Sequence, residues 1–435
     1  MHTAPQPVVA TWLTRRLPFF YGWVILACLC CCGFARQGPA VATLSIFVEP
    51  MTNEFGWSRT ALSGAVSLGG ILAALTSPLI GPLLDRRGAR MMLCAAVLLT
   101  GLSTMLLSLI QSILGFYLLF CIARMNFAGP FDIGIYGAVN SWFLARRAIV
   151  NAIIGLAQML GLVLMPLIAH LAMREDGWRG GWLAVGSTVL LVGLLPAWLM
   201  LVRRPEDLGL LPDGGPLASA PRKRAKGPPI AMAEPHFTRA QAIRTPAFWL
   251  LSLYTVAVYP VQAGISLHQA PHIMESGLSA TVAATVVSTF SFTAAVAGLG
   301  FGVLARRMGL RTLLAISAAA LGASALLMLL IAAAWQAYLA AGCFGAGIGG
   351  ILTLLPLAWA DYFGRASFGA IRGVALSLQV TAQAAGPLLS GLLRDASGSY
   401  VLSLTAFAAL SFFAALIALL VRPPRAPGVG PAPAR

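Results

Sequence analysis

Arg36, Arg124 and Asp132 stand inside stretches of sequence that are otherwise almost wholly apolar. An ionised side chain at membrane depth is costly, so such a residue faces a cavity or a partner. Two guanidiniums against one carboxylate leave the interior net positive, and a planar guanidinium fork matches a carboxylate bidentately. The chemistry this suggests is reversible capture of an anion. Asp132 lies two turns along from Arg124, so the residue types alone leave open whether Arg124 meets Asp132 or a substrate. Arg36 has no acid in its own helix and stands beside Gly38-Pro39, where a helix break is expected. His268 titrates in a range suited to proton transfer, and Asp132 is the second proton-coupling candidate. A hydrogen-bonded wall residue is the commoner role for a histidine placed like His268, and His272 reads as structural. Tyr254, Gln262, Gln379 and Gln383 place neutral polar groups in apolar segments. With Arg36, Arg124 and His268 they form the expected substrate-binding set. Tyr259 joins them as a candidate cavity residue, whereas Tyr136, Trp142 and Trp359 read as interface or packing aromatics.

The elements that hold these residues follow from composition. The 435 residues are 59% hydrophobic and 10% charged, against about 25% charged in a soluble domain, so the chain is expected to be an integral membrane protein. Runs long enough to cross roughly 30 Å of hydrocarbon lie near 19–47, 60–84, 91–110, 113–140, 148–172, 179–202, 246–270, 280–304, 312–333, 335–360, 368–392 and 399–421. They are rich in Gly, Ala and Leu and show no two-residue alternation, which favours helices over a transmembrane barrel. The fold class expected is all-α, with twelve transmembrane helices in two pseudo-symmetric six-helix halves.

Charge orients those helices. Of the 29 Lys and Arg, Arg59, Arg174, Arg179 and Arg394 fall outside, Arg36 and Arg124 fall within spans, and the others count as cytoplasmic. That bias places both termini inside. The net charge of +16 then records topology and attraction to anionic lipid, not nucleic-acid binding. No removable signal peptide is read in 1–18, a cytoplasmic segment. The seven cysteines lie in apolar runs without partners at metal-ligand spacing, so packing is expected of them. The preference for arginine over lysine suggests a GC-rich bacterial genome and hence an inner membrane.

The domain plan is an N-terminal half over 19–202, a linker over 203–245, a C-terminal half over 246–422 and a disordered tail over 423–435. The linker is rich in proline and carries the basic run Arg222-Lys223-Arg224-Ala225-Lys226, a composition that reads as a flexible cytoplasmic loop. A repeat supports the two halves. Gly302, Arg306, Arg307, Gly309 and Arg311 reproduce the spacing of Gly81, Asp85, Arg86, Gly88 and Arg90, and the segments at Phe143 and Phe363, then Pro166 and Pro387, match at nearly the same offset. Parallel halves of this kind are expected to enclose a central cavity.

The first charged loop, Gly81-Pro82-Leu83-Leu84-Asp85-Arg86-Arg87-Gly88-Ala89-Arg90, resembles the signature between the second and third helices of the major facilitator superfamily. Asp85 there can accept hydrogen bonds from arginine and from a nearby helix N-terminus. Gly81, Asp85, Arg86, Gly88 and Arg90 are accordingly expected to form a conformational latch. Arg306 replaces the acid in the second copy, so any latch there is weaker. A narrower likeness follows. Phe20-Tyr21-Gly22-Trp23, Glu54-Phe55-Gly56-Trp57-Ser58-Arg59, Trp142-Phe143 with Arg146-Arg147, and His268-Gln269-Ala270-Pro271 with Glu275 resemble signatures of the monocarboxylate porters and related oxalate:formate exchangers. The resemblance implies transport of small carboxylates with a proton or by exchange. The arginine those porters carry in helix eight has no counterpart over 290–302, and helix eleven is read as offering only Gln379 and Gln383. The C-terminal half is therefore expected to hydrogen-bond a substrate without neutralising it.

These readings converge on a monomeric secondary transporter of small organic anions that works by alternating access. Its expected partners are the anion, protons and membrane lipid, with no nucleic acid, metal or cofactor. A lipophilic-drug or cation exporter on the same fold is the second possibility, with Asp132 its one deep carboxylate. A transporter-like receptor is the third. An enzyme is not expected, since no nucleophile with a positioned base stands out.

Overall fold

A computed structural model of the chain describes residues 8–214 and 235–424. The basic run at Arg222–Lys226 and most of the Pro-rich tail lie outside the described residues. After a short helix, α1 (Val8–Arg16), the first pass is built from two pieces, α2 (Gly22–Ala35) and α3 (Val41–Phe55). They part at Arg36–Pro39, because Pro39 cannot donate to the helix ladder. α4 (Arg59–Arg87) and α5 (Ala89–Leu106) follow. α6 (Ile113–Ala128) and α7 (Pro130–Trp142) then share one pass, and α8 (Arg147–Thr188) opens the next. α9 (Leu195–Met200) closes the sixth pass, and α10 (Arg239–Ile243) precedes the remaining six: α11 (Pro246–Glu275), α12 (Ala280–Leu304), α13 (Leu310–Leu329), α14 (Ala334–Phe363), α15 (Phe368–Ser397) and α16 (Val401–Leu420).

Among the described residues nine helical stretches are long and apolar enough to cross a membrane. One of them, Arg147–Met200, holds two passes, because Asp176 (φ −117°) and Gly177 (φ 62°) break it. Adding the split first pass and the more polar α15 brings the count to twelve. The starts of these helices are written locally. Ser58, Ser112, Thr245 and Ser279 each accept a backbone N–H from the first turn of α4, α6, α11 and α12, the usual work of an N-cap hydroxyl.

The chain divides into two compact units. One comprises 1–236 with 364–377; the other comprises 237–363 with 378–435. The first turns of α15 thus cluster with the N-terminal helices. Within the second unit α12 and α14 approach closely at small residues: a Cβ on Gly349 would come 2.8 Å from the Gly298 nitrogen. Packing through small residues is how membrane helices gain contact without a hydrophobic driving force.

The start of the expected linker is fastened to the first unit. Asp213 accepts the amides of Leu144 and Ala145 at 2.9 and 2.7 Å, and Arg365 pairs with Glu206. Flexibility over all of 203–245 therefore needs correcting for 203–214.

Candidate functional site

The ionisable residues of the first unit gather where two helices are interrupted. Gly129, with non-helical φ −108° and ψ −88°, separates α6 from α7, and Pro130 at the first position of α7 has no N–H to leave unmatched. Asp132 sits in that first helical turn, where amide dipoles favour a carboxylate. It is 6% exposed. Its Oδ1 accepts from Arg372 Nη2 at 3.1 Å, and its Oδ2 lies 3.7 Å from Arg36 Nη1. Arg36, at the C-terminal end of α2, also donates from Nε to the Phe127 carbonyl at 2.8 Å. Of the two partners left open for Arg124, Asp132 is not the one it meets, because two other arginines hold that carboxylate.

Arg124 has a different environment. Its guanidinium lies 4.3 Å from the centroid of the Phe127 ring, and the guanidinium of Arg36 lies 4.7 Å from the same centroid. Cation–π contact offsets part of the desolvation of both. The Arg124 Nε is buried and has no hydrogen-bond partner, and none of the ion pairs among the described residues includes Arg124. Gly69 of α4 makes room for its stem: a Cβ there would come 2.6 Å from the Arg124 Cβ. Tyr136, one turn after Asp132, interacts with Asp132, Arg36 and Arg372 and lies against Gln158. The cluster is thus rich in donors and holds one acid.

Arg372 is the residue that sequence reading placed wrongly. It was counted with the cytoplasmic charges, yet it is 1% exposed and bound to Asp132. Its position inside the 368–392 run was the available signal. Helix eleven consequently supplies a full positive charge as well as its glutamines.

The neutral candidates lie in the second unit. Gln383 donates to Gln262 at 3.0 Å, and Gln262 lines a small cavity with Tyr259, Val258, Ile348, Ile351 and Leu352. Gln379 is 6% exposed and hydrogen-bonded or otherwise engaged. Tyr254 is fully buried and donates to the Leu314 carbonyl at 3.0 Å, so it ties α11 to α13 instead of lining a cavity. His268 has both ring nitrogens occupied, Nδ1 with the Tyr400 hydroxyl at 3.3 Å and Nε2 with the Pro387 carbonyl at 3.2 Å. A carbonyl can only accept, so Nε2 donates to Pro387. His272 donates to the Met328 carbonyl at 2.8 Å.

The charged loop closes the first unit at another point. Asp85 accepts the amides of Gly369 and Ala370 at 2.9 and 2.8 Å, two donors in the opening turn of α15 that no intrahelical partner satisfies. The arginine contact is made by Arg203, which donates to the Asp85 backbone carbonyl at 2.6 Å. Gly88, at φ 85°, turns the chain between α4 and α5. Gly81 meets the backbone of Gly369, Gly373 lies on the Ser77 carbonyl, and the Ser377 hydroxyl donates to the Ala74 carbonyl. Arg86 is exposed, and Arg90 donates to the Trp198 carbonyl at 2.9 Å. In the second copy of the loop, Arg306 and Arg307 are exposed.

Several signature residues prove to be clamps. Tyr21 donates to the Met200 carbonyl at 2.9 Å. Arg147, 4% exposed, donates to the Asn140 and Phe143 carbonyls that α7 leaves open. Glu54 accepts from Trp178 Nε1 at 2.6 Å and pairs with Arg179 at 2.7 Å. The Arg179 and then the Trp178 hydrogen bonds hold its carboxyl below the ordinary range.

Twelve membrane passes with a buried, partly uncompensated arginine cluster describe a polytopic carrier. The chain belongs to the Major Facilitator Superfamily, whose model matches residues 25–271 and 264–435. It is similar to mouse monocarboxylate transporter 11, 27% identical over 397 residues that cover 87% of this chain and 83% of that protein. A probable L-galactonate transporter of Escherichia coli is 28% identical over 206 residues, 46% of this chain and 42% of that protein. With the L-galactonate transporter the chain thus aligns over less than half of that protein's length. Among solved structures, the E. coli fucose:proton symporter superposes with a TM-score of 0.67 at 13% identity, covering 93% of this chain and 100% of that one. The human organic anion transporter MFSD10 gives 0.65 at 17%, covering 95% and 100%. At those identities the structures speak for the fold alone.

Proposed function

We propose that the protein is a secondary transporter of small organic anions, bound at the cluster of Arg36, Arg124, Arg372 and Asp132. One observation carries this reading. Three guanidiniums lie in one cluster with a single carboxylate, which Arg36 and Arg372 share while Arg124 has no acid beside it. Buried charge without compensation is costly, and an entering carboxylate supplies the missing acceptor. The names of mouse monocarboxylate transporter 11 and the probable L-galactonate transporter support a carboxylate cargo.

The cargo carboxylate competes with Asp132 for Arg36 and Arg372. A ligand shifts a conformational equilibrium only through different affinity for its states, and this competition supplies the difference. Loosening Arg372 loosens the first turns of α15, which Asp85 holds at Gly369 and Ala370. Asp85 with Gly81 and Gly88 then acts as the latch that reseals when the cargo leaves. Coupling is by proton or by exchange, with His268 and Asp132 the proton-coupling candidates. The basic bias supports cytoplasmic termini, and the preference for arginine over lysine supports a bacterial inner membrane. A cation exporter fits less well, because Asp132, the deep acid it needs, already serves two arginines.

Counterflow in proteoliposomes tests the proposal. Labelled lactate, succinate and an aromatic carboxylate are offered to vesicles holding the unlabelled acid. Uptake that disappears in Arg36→Ala and Arg372→Ala is expected. Reconstituted, monodisperse protein that moves none of these acids would sink the assignment.

A further inference from the structure

We infer that the preferred cargo is a dianion, a small molecule with two carboxylate-like groups on a short spine, and that Arg124 sets this valence. The inference rests on the proposed anion site and specifies what that site selects.

The charges run in a connected series. Arg372 meets Asp132 at 3.1 Å and Asp132 meets Arg36 at 3.7 Å. Arg36 and Arg124 then share the Phe127 ring at 4.7 and 4.3 Å. One end of the series has a carboxylate and the other has none. A monoanion captured at the Asp132 end leaves Arg124 as before, a buried cation against a ring. A monoanion captured by Arg124 leaves the pair of arginines sharing one acid. Two anionic groups, one toward each end, bring three guanidiniums into balance with three carboxylates. Charge compensation weighs most where water is excluded, because attraction grows as the local dielectric falls.

The hydrogen-bond inventory points the same way. Arg124 Nε is a buried donor without an acceptor, whereas both oxygens of Asp132 are already engaged. Buried donors are ordinarily satisfied, so the cluster asks for more acceptor oxygens than one carboxylate brings. Arg124 is also held in place, its stem fitted against Gly69 and its guanidinium stacked on Phe127. A fixed cation at a distance from the Asp132 end measures the cargo's second group.

The test uses purified full-length protein and acids matched in carbon number: propionate against malonate, and butyrate against succinate. Thermal stabilisation is followed at pH 7.5 and constant ionic strength. The concentration needed for half-maximal stabilisation is expected to be at least about tenfold lower for the diacid of each pair, the effect of roughly one further charge-assisted contact. In Arg124→Gln the two members of a pair should become nearly equal, with the monoacid hardly changed, and Arg124→Lys should keep the preference. Equal response of wild-type protein to both members overturns the inference and leaves anion transport standing. No response to any of the four acids, unaltered in Arg36→Ala, instead strikes the anion site itself. Should Arg124→Gln not fold, the wild-type comparison and Arg124→Lys still decide the matter.

Discussion

The two units solve the problem of polar groups in hydrocarbon in opposite ways. The first buries charge: Arg36, Arg124, Arg372 and Asp132 lie together, with more cations than acids. The second pairs neutral groups, Gln262 with Gln383, His268 with Tyr400 and Ser390 with Ser403. Its ion pair between Arg394 and Glu275 is solvent-facing, at 38% and 42% side-chain exposure. Repeated folds need not repeat their chemistry. A buried ion is sensitive to what sits next to it, whereas a satisfied amide pair is not, so the proposed ligand sensing is assigned to the charged unit.

If that contrast is right, the largest loss follows from removing the shared acid. Asp132→Ala leaves Arg36 and Arg372 without their counter-ion and should cost about 3–5 kcal/mol of stability, read as a fall in melting temperature. Arg36→Ala and Arg372→Ala come next, each expected to weaken cargo binding by about 2–5 kcal/mol in a titration with the preferred acid. Near-normal affinity in both would place the site elsewhere. Asp85→Asn keeps the shape and removes the charge at the α15 N-terminus. It should cost about 1 kcal/mol and speed hydrogen exchange at Gly369 and Ala370 ahead of other helix starts. In the neutral unit Gln383→Leu should alter affinity by no more than about 1 kcal/mol, and a larger effect would erase the contrast.

The smallest change belongs to Glu54 at the exposed end of α3. Its carboxyl is held below the ordinary range by Arg179 and Trp178. Its contribution to stability is therefore present above the ordinary carboxylate range and fades as pH falls through the depressed value. Glu54→Gln should flatten this acid-side slope while leaving neutral-pH uptake unchanged.

Much of the scaffold was legible because hydropathy and turn chemistry are local. The Gly38-Pro39 interruption lies where proline places it, and serine caps begin α4 and α6. The break at Gly129 was missed, although Pro130 marks it, because the apolar run continues across it. The site was legible in part. Arg36, Arg124 and Asp132 announce themselves by being charged within apolar sequence, but which of them pair depends on residues distant in the chain. Arg372 escaped notice because charge near a cytoplasmic helix end usually reports topology. Tyr254 misled for the converse reason: a polar atom in an apolar helix can be satisfied by a neighbouring helix's carbonyl.

The seam between α4 and α15 has a mechanical consequence. Gly81, Gly369 and Gly373 bring main chain against main chain, with no flexible side chains between them. Such a joint has little give: a gap that excludes water forfeits the contact before it widens enough to admit any. Opening of the joint is therefore expected to be all-or-none, fully seated or parted. A single methyl group added at Gly81 acts as a wedge that favours the parted one.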